Sequence, residues 1–125
     1  MPVLGWRHPD FPAFYLRSSG LRVPHQVQDA DEVAGVLRAR VRPDTGVLLT
    51  VPIPVGDQLD PLRLDEALTT ALAACAREGI TGGAVTPYVL ERIGRETEGR
   101  SVPANLALAA NNARVAAEVA AALAR

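Results

Sequence analysis

The run "GVLLTV" at 46–51, closed by "PIP" at 52–54, constrains this 125-residue chain more than any other stretch. A strand with apolar side chains on both faces must be covered on both, so it reads as a central parallel strand. Pro52 and Pro54 end it, because neither nitrogen can donate a ladder hydrogen bond. A central strand needs neighbours on both sides, and no second segment has the same character. Either the extended N-terminal pieces "VLGW", "AFYL" and "VPHQV" supply them, or another chain segment does.

Helical patterns fill much of the remainder. "DADEVAGVLRARV" spaces Val33, Val36, Leu37 and Val41 helically behind an Asp29 cap. "DPLRLDEALTTALAACAREG" has Asp60 as a cap, Pro61 in its first turn and Gly79 where a terminating glycine is favoured. "ITGGAV" reads as extended. Thr86-Pro87 opens a short helix through Ile93 that stops by Gly99, and Ser101 caps a final helix with Pro103 in its first turn. The alternation predicts an α/β fold, with mixed sheet strands packed by about four helices. Residues 1–125 form a single domain or a fragment, without repeats or linkers.

Hydrophobic residues make up 48% of the chain, enough for a real core. Net charge is −1 with acids and bases interspersed, which argues against nucleic acid or an anionic membrane as partner. No stretch approaches the roughly 18 apolar residues of a membrane span. "MPVLGWRHPDF" lacks the layout of a signal peptide, and a lone Cys75 suits a reducing cytoplasm. All 13 basic residues are arginines. Guanidinium stays protonated and does not form the imine that an amine forms with a sugar aldehyde, so the chain supplies no lysine nucleophile.

The final helix carries Asn105, Asn111 and Asn112 in an otherwise apolar sequence. Asn105 and Asn112 are seven apart and share a stripe with Leu108, Val115 and Val119, which predicts two amides on the buried face. Such amides either tie the helix to neighbouring backbone or, for Asn105 near the helix N-terminus, enter a ligand pocket where free N–H groups favour phosphate. Asn111 falls off the stripe. Pro52 and Ile53, at the C-terminal end of a strand, form a second candidate, with plain strand termination as the alternative. Asp57 is a weaker carboxylate candidate. The Arg17-Ser18-Ser19 turn is a possible phosphate loop, although such loops are usually only loops. His8 and His25 have no metal-ligand spacing around them.

"PAFYLRSSGLRVPHQV", "GVLLTVPIPVGDQLD" and "GITGGAVTPYVLERIGRETEGRSVPANLALAANNARVAAEVA" together resemble the C-terminal part of pseudouridine-5′-phosphate glycosidases. The resemblance implies reversible cleavage of a carbon–carbon glycosidic bond, giving uracil and ribose 5-phosphate. It also implies a lysine imine, an acidic proton donor and Mn2+, all supplied by residues upstream of the matched part, and a homotrimer. Carried over, the family's active-site asparagine falls on Asn105. Asn112, Pro52 and Ile53 join it as substrate-binding candidates, with Asn111 and Thr86 supporting. Val51 stands where the family usually has asparagine, Gly83 where it often has lysine, and Tyr88 where it usually has phenylalanine. No catalytic residue and no metal ligand is expected in this chain. It would need the N-terminal part of such a protein, or would associate with itself. The alternatives are a non-catalytic assembly module, or a C-ribosylating relative with a different acceptor ring.

Overall fold

In the computed structural model, which describes residues 1–42 and 44–125, strand β1 (Val3–Trp6) lies at the centre of a three-stranded sheet. Strand β2 (His25–Val27) flanks it on one side and β3 (Leu48–Thr50) on the other. Leu4 pairs with both His25 and Leu49, and both ladders are parallel. The expected mixed sheet is thus a parallel one. Antiparallel pairing among the described residues is limited to isolated bridges, Asp10 with Arg22 and Ala13 with Leu16. The run at 46–51 gives a three-residue strand at an edge instead of the centre. The stretch "AFYL" turns instead of extending, because Phe14 adopts a left-handed backbone (φ 55°) between the bridged residues.

Gly5 explains how the 8–23 excursion covers the back of the sheet. A Cβ there would overlap the His8 carbonyl oxygen and come within 2.7 Å of Val23 Cγ2. Only glycine lets the loop approach this closely.

Among the described residues, four α-helices complete the α/β fold: α1 (Ala30–Arg38), α2 (Pro61–Arg77), α3 (Val85–Glu96) and α4 (Ser101–Ala124). The Asp29 carboxylate accepts from Glu32 N–H, and that of Asp60 accepts from Leu62 and Arg63 N–H, so both act as the N-caps expected. Gly79 ends α2 at φ 67°, with Ile80 N–H returning to the Cys75 carbonyl. Three expectations fail locally. Val41 lies beyond the end of α1 at Arg38 and is exposed, so it does not join Val33, Val36 and Leu37 on the helix. "ITGGAV" winds into a 3₁₀ turn (Gly82–Ala84) instead of extending. Ser101 is the first residue of α4 and not its cap, because Arg100 already has helical backbone angles and makes no side-chain cap bond.

Helix α4 joins two apolar clusters. Its N-terminal half packs Ala104 and Leu108 with Tyr15, Ile53, Leu64 and Ile93. Its C-terminal half packs Val115 and Val119 onto Leu4, Trp6, Val27 and Val33. The Pro-Ile-Pro loop carries the chain from the sheet to the first cluster, where Ile53 is fully buried.

Candidate functional site

The α4 sequence buries Ala104, Leu108, Val115, Val119 and Ala122, with Asn111 half-buried among them. That seam advances by steps of three and four residues, as an amphipathic helix requires. Asn105 and Asn112 follow seam positions by one residue, which rotates each about 100° away. Both are exposed, contrary to the buried face expected for them. The apolar residues seven apart locate the stripe only to within its width, and the two asparagines stand on its rim.

Asn111 is the amide that ties the helix down. Its Nδ2 donates to the Pro52 carbonyl at 3.2 Å, while its Oδ1 accepts from Arg114 Nη2 at 2.9 Å. Across the loop, Arg17 Nη1 donates to the Ile53 carbonyl. The Pro-Ile-Pro segment is therefore pinned from both sides through its backbone. Pro52 and Ile53 themselves are buried, Ile53 inside the core. Val51, half-buried, packs against the sheet cluster, which accounts for an apolar side chain at that position.

Asn105 opens onto a groove of about 560 Å³ at the start of α4. Tyr15, Ser101, Glu91 and Arg95 share its lining with Leu90, Val102 and Leu106. Tyr15 and Ser101 are only 4% and 3% exposed. Burial pushes the Tyr15 phenol above its ordinary value, partly offset by the Ser101 hydroxyl beside it, so it stays protonated at neutral pH. Sequence reasoning missed both residues, because a lone tyrosine among aromatics and a serine read as a cap give no polar signal.

Charge plays little part in this groove. Arg95 is paired with Glu91 on its own helix. At the α4 N-terminus, Val102 N–H already bonds the Gly99 carbonyl at 3.2 Å and Ala104 N–H that of Arg100 at 3.4 Å. The phosphate affinity expected of a free helix start is accordingly reduced. What remains is a set of amide and hydroxyl groups on an apolar floor, suited to the hydroxyls of a sugar or the amide edge of a base.

The other candidates lie apart. Exposed Thr86, in the first turn of α3, lines a separate apolar groove with Phe14, Leu68 and Val89; only Tyr15 and Leu90 border both grooves. Gly83 is exposed, with open space around a Cβ. The Arg17-Ser18-Ser19 turn is consumed internally, by the Ile53 carbonyl, the Asp10 carboxylate and the Phe11 carbonyl respectively. His8 Nδ1 contacts Asp10 backbone. Among the described residues, no group of three or more His, Cys, Asp or Glu side chains is arranged to hold a metal ion. No described helix is long and apolar enough to cross a membrane.

Comparison with known proteins adds to this geometry. The family described as Indigoidine synthase A like protein matches residues 1–122. The pseudouridine-5′-phosphate glycosidase of Roseiflexus sp. (strain RS-1) is 50% identical over 125 residues, which cover 99% of this chain and 40% of that protein. The enzyme of the same name from Caldanaerobacter subterraneus subsp. tengcongensis is 43% identical over 122 residues, again 40% of its length. The crystal structure of the prealnumycin C-glycosynthase AlnA, in complex with ribulose 5-phosphate, superposes with a TM-score of 0.88 at 36% identity, over 98% of this chain and 41% of that one. An indigoidine synthase A-like protein from Thermotoga maritima gives a TM-score of 0.85 at 28% identity, over 100% of this chain and 41% of its own. The chain thus spans about two-fifths of the length of the relatives it matches.

Proposed function

This chain belongs to the indigoidine synthase A-like family, and from that premise we propose that it forms the C-terminal part of a pseudouridine-5′-phosphate glycosidase. The complete enzyme would reversibly cleave the carbon–carbon bond between ribose 5-phosphate and uracil. The observation that carries this reading is the exposure of Asn105 on the rim of this largely apolar groove, at the position where the family resemblance puts an active-site asparagine.

In this reading the chain lines the pocket and does not perform the covalent step. Asn105 can donate from Nδ2 and accept at Oδ1, a pairing suited to a vicinal diol or to the amide edge of uracil. Asn112, on the same flank of α4, extends the polar edge. Asn111 positions the Pro52–Ile53 backbone, and protonated Tyr15 can donate to an acceptor in the groove. This chain has no lysine, so the lysine that the resemblance implies would come from the rest of a family member. The manganese implied by the resemblance finds no fitting set of ligands among the described residues, and no step is derived through it. The same reading puts the enzyme in the cytoplasm as a homotrimer. Likeness to a C-glycosynthase favours a second version, in which the same groove serves attachment of ribose phosphate to a different ring.

Asn105→Ala tests the proposal in a complex of this chain with the remainder of a family member. The expected result is turnover of pseudouridine 5′-phosphate reduced by about 100-fold or more with an unchanged melting temperature, because the side chain is exposed. Retained turnover with a lowered melting temperature would mark a structural module.

A further inference from the structure

The two edges of the sheet differ in a way that bears on how the pocket is completed. On β2, His25 and Gln26 are exposed and Pro24 precedes the strand, so this edge is polar and blunted. On β3, Leu48 and Leu49 stand at an open edge. Successive strand amides point in opposite directions. Leu48 N–H donates to the Pro2 carbonyl on the β1 side at 2.9 Å, so that of Leu49 faces away from β1. Beside this edge lies an apolar groove of about 290 Å³, lined by Leu37 from α1, Leu49 from the strand and Val47 just before it, and Ala116, Ala120 and Leu123 from α4. An apolar parallel edge with a hollow beside it is what a sheet looks like when its next strand is missing.

The same flank of α4 runs past Asn112 to Asn105. Asn105, Asn112, Ala116, Ala120 and Leu123 fall within about 80° of arc on the helix. Leu106 and Val102, 67% and 59% exposed, continue the apolar surface at the far end. A body covering this flank would lie across the open side of the Asn105 groove.

We propose that the part of a family member outside this chain's match joins here. One of its strands pairs with β3, and its bulk lies along the Asn105–Asn112 flank of α4, so that the pocket is closed by the seam itself. The occupant is argued from size: relatives are about two and a half times as long as the matched portion, so their remainder is large enough to supply a strand and cover this flank. This inference rests on the functional reading for its partner and goes beyond it in assigning the edge and the face.

The test coexpresses this chain with a tagged copy of the unmatched remainder of the Roseiflexus enzyme, so that the two can fold together. The expected result is a copurifying complex in which hydrogen exchange at Leu49 N–H slows by about tenfold or more relative to the chain alone. Ala120→Arg, at an exposed position, should abolish copurification with the circular dichroism melt unchanged, whereas Gln26→Arg on the opposite edge should leave it intact. A complex in which Leu49 exchanges as fast as in the free chain overturns the proposal. So does survival of the complex with Ala120→Arg, or occupation of this face by a second copy of the chain. A complex that meets the expectation yet fails to cleave pseudouridine 5′-phosphate supports the seam and removes the functional reading.

Discussion

Three asparagines on one helix have separate fates, and their substitutions should separate cleanly. Asn111→Ala removes the donor to the Pro52 carbonyl and should cost about 1–3 kcal/mol, read as a lower urea midpoint. Asn105→Ala should change stability by no more than about 0.5 kcal/mol, because its side chain is exposed. Tyr15 carries a pH prediction. Its phenol is raised in the folded state, so its contribution is fully present below the ordinary value of 10.0 and is lost as pH rises through the folded value. Between pH 8 and 11 the wild-type urea midpoint should therefore fall further than that of Tyr15→Phe. The sequence offered Asn105 as a pocket candidate from its place near the helix N-terminus, and the resemblance added weight to that reading. Its own periodicity put the wrong asparagines in the seam, since neighbouring positions on a rim differ by only one residue in phase.

Among the elements, the local signals were the legible ones. Asp29, Asp60 and Gly79 act within a turn of their own helices, and each performs the role that its residue type suggested. Strand position was not legible, because the hydrophobicity of Val47–Val51 reflects both faces and says nothing about which edge is occupied. Nor could sequence reveal that Gly5 is needed for contact with a loop arriving from His8 and Val23. Gly5→Ala should destabilise by about 1–3 kcal/mol through overpacking. Gly35→Ala, in α1 with open space around it, should stabilise by about 0.5–1 kcal/mol. Chemical denaturation of the two variants in parallel compares glycine needed for contact with glycine merely tolerated.

For the whole molecule, an absence in the composition and an opening in the fold agree. The chain has no lysine, and its Asn105 groove lies open along the flank of α4 that continues toward the unpaired edge of β3. In the proposed arrangement, the family portion that would bring the lysine would also cover that flank. Fold class and helix number were legible because burial patterns and caps encode them. The open edge of β3 was not legible, because the run at 46–51 reads as a central strand. The most direct test is the release of uracil from pseudouridine 5′-phosphate by this chain alone and by its coexpressed complex with the Roseiflexus remainder. The account predicts no release above background for the chain alone and sustained release for the complex. Sustained release by the chain alone would contradict it.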